Sequence, residues 1–228
     1  MNDTNLTQII SLQFALFFRD IVDRPDIEFA DLNTNMMNIF DAIPSIVPIP
    51  RELPPEVPIV TQRSESNEYV CNISRSRIDL HFQRIGDQRS NAELIVDFNA
   101  KVLGFIAYVL KKRSVIRFGM ICRYFHEIST AVQAIRGKYF LGSIGDTEEL
   151  SLRFNKKGTT LDWVINDIVE ISAAAAVIDG KERLGIYIQR DINNNPQPNK
   201  ELSEQVLRKI SKEYSEHLTE KSIEGLIK

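Results

Sequence analysis

Apolar residues recur at every second position through residues 9–22. Ile10, Leu12, Phe14, Leu16 and Phe18 share one parity, and Ser11, Gln13, Ala15 and Arg19 mostly take the other. A period of two is that of a strand with one buried face. The spacing changes over 32–43, where Leu32, Met36, Ile39, Phe40 and Ile43 fit one side of a short helix. Asp31 stands where a cap is wanted and Pro44 stops it. Six of the nine prolines then fall between 44 and 58, which predicts an extended connector because proline lacks an N–H and locks φ. Alternation resumes over 68–85 with a change of phase: Tyr69, Cys71 and Ile73 are odd, while Ile78, Leu80 and Phe82 are even. A slip of one residue exchanges the faces of a strand, so this stretch predicts a bulge near Ser74–Ser76 or two short strands.

A helical pattern follows from Asn91 to Lys112, with a wide apolar face that includes Leu94, Phe98, Val102, Phe105 and Val109. Such a face is built to lie on a sheet. Residues 114–127 alternate again, with Phe118, Met120, Cys122, Tyr124 and His126 on one side. A short helix over 131–141 leads to a three-strand meander. Its strands are marked by Leu150, Leu152 and Phe154, by Leu161, Trp163, Ile165, Val169 and Ile171, and by Leu184, Ile186 and Ile188. Turns are expected at Asn155–Thr159 and at Asp179–Gly180. Finally Leu202, Val206, Ile210, Tyr214 and Leu218 repeat every fourth position, a stripe that predicts a C-terminal helix covering either this sheet or a partner.

The order is β-α-β-β-α-β, then a three-strand meander and a C-terminal helix, which is an α+β fold with an antiparallel-rich sheet. Its first part has the ferredoxin-like, split β-α-β order. One domain over 1–228 is expected, with 1–128 and 129–228 as its natural subdivision.

Composition narrows the function classes. The chain has 228 residues, 43% of them hydrophobic and 26% charged, with a net charge of −3. This is the composition of a globular protein. The slight acidity weighs against a nucleic-acid partner at the level of the whole chain, while leaving room for a local basic patch. No apolar stretch reaches the roughly 20 residues a membrane span needs, and the N-terminus lacks the pattern of a secretory signal. A cytoplasmic protein without a membrane partner is expected. Its two cysteines, Cys71 and Cys122, read as buried small hydrophobes.

No catalytic motif emerges. Phosphate-loop, Cys-x-x-Cys, His-Glu-x-x-His and Gly-x-Ser-x-Gly spacings are missing, and no cofactor or metal is expected. Cys122 and His126 would be neighbours on a helix. On a strand they lie about 13 Å apart, beyond the reach of one zinc ion with its bonds of about 2.0–2.3 Å. Both are therefore expected to face the core, and a metal site would need His126 to meet a residue of another strand such as His81. Asp162, Asp167 and Glu170 fall on one strand, but Asp162 and Asp167 have opposite parity. The arginines are more informative. Arg75 and Arg77 share a strand face, as do Arg117 and Arg123, with Gly119 between them. Arginine offers a planar fork to carboxylate or phosphate, so these four predict an anion- or partner-binding sheet surface; the plainer reading is a solvated, ion-paired face.

The runs "VIRFGMICRYFHEI", "RELPPEVPIV…NISRSRIDLHF" and "LGIYIQRDINNNP" resemble sporadically distributed, uncharacterised bacterial proteins. That resemblance covers most of the chain and supports the fold reading, and it brings no activity with it. The expected function is that of a non-catalytic interaction or assembly protein. It would form a dimer or higher oligomer through a strand edge or the Leu202–Val206–Ile210–Tyr214–Leu218 stripe, or bind another protein. The alternatives are an enzyme or sensor holding a phosphorylated small molecule or a nucleic-acid end on the strand arginines, and a component of a defence or toxin–antitoxin module.

Overall fold

The computed structural model describes residues 7–48, 50, 52–86, 88–142, 145, 147–178, 180–197 and 199–227. Its strands are β1 (Thr7–Phe18), β2 (Ser45–Ile46), β3 (Val60–Arg63), β4 (Tyr69–Ile73), β5 (Arg77–Gln83), β6 (Val115–Glu127), β7 (Ser151–Thr160), β8 (Trp163–Ile178) and β9 (Lys181–Asn194). The helices are α1 (Pro25–Glu28), α2 (Leu32–Asn35), α3 (Asn91–Lys112), α4 (Ala131–Tyr139), α5 (Glu204–Ser215) and α6 (Glu220–Glu224), with a 3-10 turn at Glu216–Leu218. All nine strands form one sheet in the order β2-β3-β4-β5-β1-β6-β9-β8-β7, and every neighbouring pair is antiparallel. The protein is α+β, as its alternation of periods predicts.

Period-two patterning sorts the side chains. Leu12, Phe14 and Leu16 of β1 are buried on the same face as Ile78 and Leu80 of β5, Phe118 and Met120 of β6, Ile188 and Ile192 of β9, and Ile165 and Val169 of β8. Burying each such side chain contributes about 1.5–3 kcal/mol. The long helix α3 lies on this face, with Phe105 edge-on to Phe14 at 6.5 Å between ring centroids. It begins in a reciprocal cap between Ser90 and Glu93, which satisfies backbone donors that the first turn leaves open. The helix α5 packs beside α3 and starts where the Ser203 side chain accepts from Val206 N–H. No described helix is long and apolar enough to cross a membrane.

Several local expectations shift. The helix expected over 32–43 ends at Asn35, and Met37 and Asn38 adopt left-handed backbone with φ of 58° and 56°. Asp31 makes no side-chain cap. Its carboxylate instead accepts from Tyr108 Oη at 2.6 Å and Lys112 Nζ at 3.0 Å, tying α2 to α3. The phase change at 74–76 resolves as two strands, with Ser74 N–H closing the turn on Arg77 C=O. The proline-rich connector contributes β2 and leads into β3 at one margin of the sheet. Beyond β2, Pro55 C=O accepts from Arg75 and Ser76 N–H. Both sheet edges are blunted: β2 is two residues long between Pro44 and Pro48, and β7 carries Lys156 and Lys157.

The turn expected at Asn155–Thr159 lies further on. Those residues belong to β7, and the chain reverses at Leu161 and Asp162, whose φ are 47° and 65°. Thr160 pairs with Trp163, so this is a two-residue hairpin loop with both positions left-handed, a geometry that favours Asn-Gly. Leu161 is 41% exposed there, and its alternation with Trp163 was accidental. Leu161→Asn is therefore expected to stabilise the protein by about 0.5–1 kcal/mol, read as a higher urea midpoint with unchanged slope. A lowered midpoint would mean that the leucine contributes packing that outweighs its backbone strain. At the next hairpin Gly180 takes φ of 72°; Asp179 lies outside the described residues.

Candidate functional site

The helices gather on one side of the sheet. On the other side, no described helix covers the central strands β5, β1, β6 and β9. Pairing brings Arg77 and Arg117 to either flank of Phe17, since Phe17 is opposite both. The two guanidinium carbons stand 5.5 and 4.9 Å from the Phe17 ring centroid, within range of cation–π attraction. Arg77 is partly neutralised, with Nε 2.8 Å from Asp79 Oδ2. The nearly buried Asp79 also accepts from Gln13 Nε2 at 3.1 Å.

Arg117 differs. Among the described residues no carboxylate pairs with it, and its buried Nε has no hydrogen-bond acceptor. Leaving a buried donor unmatched costs about 1–3 kcal/mol. Arg123, six residues further along β6 on the same face, is held among the described residues by neutral partners: Gln189 Oε1 at 2.8 Å and Ser11 Oγ at 3.3 Å. Other half-buried arginines are matched to acids, as in Arg113–Glu28 and Arg183–Glu127. Tyr187 joins the Arg123 cluster by donating from Oη to Gln189 Oε1 at 3.4 Å. Burial pushes its phenol pKa up, and Arg123 opposes that shift.

Between the two clusters Ala15 and Gly119 stand opposite each other. A β-carbon at Gly119 would meet nothing nearer than Ala15 Cβ at 3.9 Å, and both residues are buried at the floor of this saddle. His81 lies beside this saddle, opposite Gln13. Burial lowers its pKa, and the charges of Arg123 and Arg77 lower it further against Asp79.

Three of the four arginines singled out from the sequence thus share this face, and Arg75 does not. It sits in the turn between β4 and β5, where Nη2 donates to Leu53 C=O at 2.7 Å, because the chain breaks the strand at the phase change. The terminal stripe corrects an expectation more sharply. Leu202, Ile210 and Leu218 are buried within this chain, and Val206 and Tyr214 pack against the same core. A surface the protein already covers is not open to a second copy. Leu202 precedes α5, and Leu218 falls in the 3-10 turn after it.

Cys122 and His126 face the core at 0% and 1% exposure. His126 Nδ1 is hydrogen-bonded to Thr7 Oγ1 at 2.8 Å. His81 is on the opposite side of the sheet, so the two histidines cannot share an ion. Cys71 and Cys122 are free thiols whose burial raises their pKa values. No group of three potential metal ligands occurs among the described residues. Asp167 turns to the covered face, Glu170 to the open one, and Asp162 lies in the hairpin loop, so these acids form no pair.

Sequence reading missed one polar centre. Arg190 donates from Nε and Nη2 to the two oxygens of Asp167 at 2.7 and 2.6 Å, and from Nη1 to His217 C=O and Ser222 Oγ at 2.7 and 2.9 Å. It lies under the 3-10 turn and α6 and anchors both to β8 and β9. Its signal was a charged residue at a core-parity position on each of two strands, Asp167 between Ile165 and Val169 and Arg190 between Ile188 and Ile192. No known family model and no curated protein matches this chain.

Proposed function

We propose that this is a non-catalytic binding protein that holds an extended anionic partner on the uncovered face of its sheet. The observation that carries the reading is the pair Arg117 and Arg123: two guanidiniums on one strand, on one open face, with no carboxylate partner among the described residues. At about 3.3 Å per residue they lie roughly 20 Å apart. One small phosphate cannot bridge that span, whereas a linear polyanion can touch both. The planar forks suit phosphate or carboxylate oxygens. The terminal-helix dimer loses its motive once that stripe is buried, and membership of a defence or toxin–antitoxin module rests on the resemblance alone.

Heparin, a generic polyanion, tests this. The double variant Arg117→Ala, Arg123→Ala is expected to leave a heparin column at clearly lower salt than the parent. Arg208→Ala and Arg24→Ala together serve as the control, because they remove the same charge from exposed ion pairs. Elution of the double variant with the control would count against the site.

A further inference from the structure

We infer that the extended partner is single-stranded nucleic acid, crossing the open sheet face from the Arg77–Phe17–Arg117 cluster to the Arg123–Tyr187 cluster with bases stacked at both ends. This rests on the anionic reading above and narrows it. An acidic peptide would satisfy the two charges but has no use for the planar groups that accompany each one. Phe17 carries a guanidinium on either flank, at 5.5 and 4.9 Å from its ring centroid. Tyr187 and Arg123 share Gln189 as a partner at the other end. Aromatic rings and guanidinium planes are the surfaces on which unpaired bases stack, and every base offers a π-face, so such a site tolerates many sequences.

Between the clusters the face carries Asp79 opposite Ala15 and Asp191 opposite Ile121, so the polyanion is held at its two ends. Ala15 and Gly119 form a small, buried floor there, and the half-buried His81 ring beside it adds a planar surface. The span of roughly 20 Å takes several nucleotides of a single strand. A duplex hides its base faces and is read by an element that enters a groove; the central strands of this face offer none. The net charge of −3 provides no long-range attraction for a polyanion, so binding depends on these local groups. With two phosphates neutralised, the salt slope of a single strand is about −1.4, at about −0.7 per contact.

The test is fluorescence anisotropy with fluorescein-labelled dT20 and U20, and with a labelled 20-residue polyglutamate for comparison. The parent should bind one or both oligonucleotides with log K falling against log salt at a slope of about −1.4. Arg117→Ala should weaken binding about tenfold and move the slope toward zero by about 0.7. Phe17→Leu and Tyr187→Leu should weaken it to a similar extent with the slope unchanged, because they remove stacking and not charge. Arg117→Lys should keep the slope and lose affinity. Thermal unfolding of each variant verifies the fold, and Phe17→Tyr, which keeps the ring, should bind like the parent. Equal affinity for a dT20·dA20 duplex, or undiminished binding by the two leucine variants, overturns the inference. Binding of polyglutamate but not of either oligonucleotide overturns the nucleic-acid assignment and leaves the anionic site standing. Failure of the heparin comparison as well removes both.

Discussion

Asp167→Ala is expected to destabilise the protein by about 3–5 kcal/mol, measured as the free energy of unfolding in urea. The cost does not come from the lost attraction alone. Arg190 and Asp167 are 8% and 7% exposed at their side chains, so removing the carboxylate strands a guanidinium that water cannot reach. Arg190 would keep its bonds to His217 C=O and Ser222 Oγ, but these carry no compensating charge. Replacing both partners together, as Asp167→Leu with Arg190→Met, should cost much less than the single change, since no unpaired charge remains. A single-variant loss below about 1 kcal/mol would show that the pair is solvated in solution.

The same pair sets an acid dependence. Burial on its own would raise the Asp167 pKa, but hydrogen bonds and charge from Arg190, aided by His217, outweigh it and hold the carboxyl below its usual range. A depressed carboxyl pKa contributes stability above the unfolded value, about 3.9, and that contribution is lost as pH falls through the lower folded value. The gap between the parent and Asp167→Asn should therefore be widest near neutrality and close below about pH 4.

Gly185→Ala is expected to cost about 3 kcal/mol or more and to disturb the pairing of β6 with β9. Gly185 lies opposite Glu127 in that pairing. A β-carbon there would stand 2.3 Å from His126 C=O and 2.5 Å from Phe125 Cζ. The ring could turn aside, but the carbonyl belongs to a strand held on both sides, by β1 and by β9. Phe125→Leu in the Gly185→Ala background should consequently fail to restore stability. A Gly185→Ala protein with the parent's urea midpoint would refute this close approach of the two strands.

These positions separate what pattern reading reaches from what it does not. Alternation placed Cys122 and His126 inward and Arg117 and Arg123 together on the opposite parity, because the side-chain period of a strand is a local property of its backbone. It also put the sheet in antiparallel company with a long covering helix. It could not say that Arg77 and Arg117 meet over Phe17. That contact needs the register of β5, β1 and β6, which brings to Phe17 two arginines that both lie more than fifty residues further along the chain. Arg75 was misplaced for a related reason: a phase change announces a break in a strand without saying which residues fall in the turn.

The terminal stripe gives the same lesson in another form. Leu202, Val206, Ile210, Tyr214 and Leu218 announced that one side must be covered, since apolar area is stabilised wherever it leaves water. That force is non-directional, so periodicity does not name the cover. The tertiary structure supplied it from this chain, and left open the sheet face on the other side. What the sequence determined by itself was the local geometry: strand, helix and turn, and which residues share a side. What only the tertiary structure decided was which sides are covered and which distant residues become neighbours. Arg117 became a candidate site by that second step, because a guanidinium has binding capacity to offer where the fold brings it no acid, as among the described residues here.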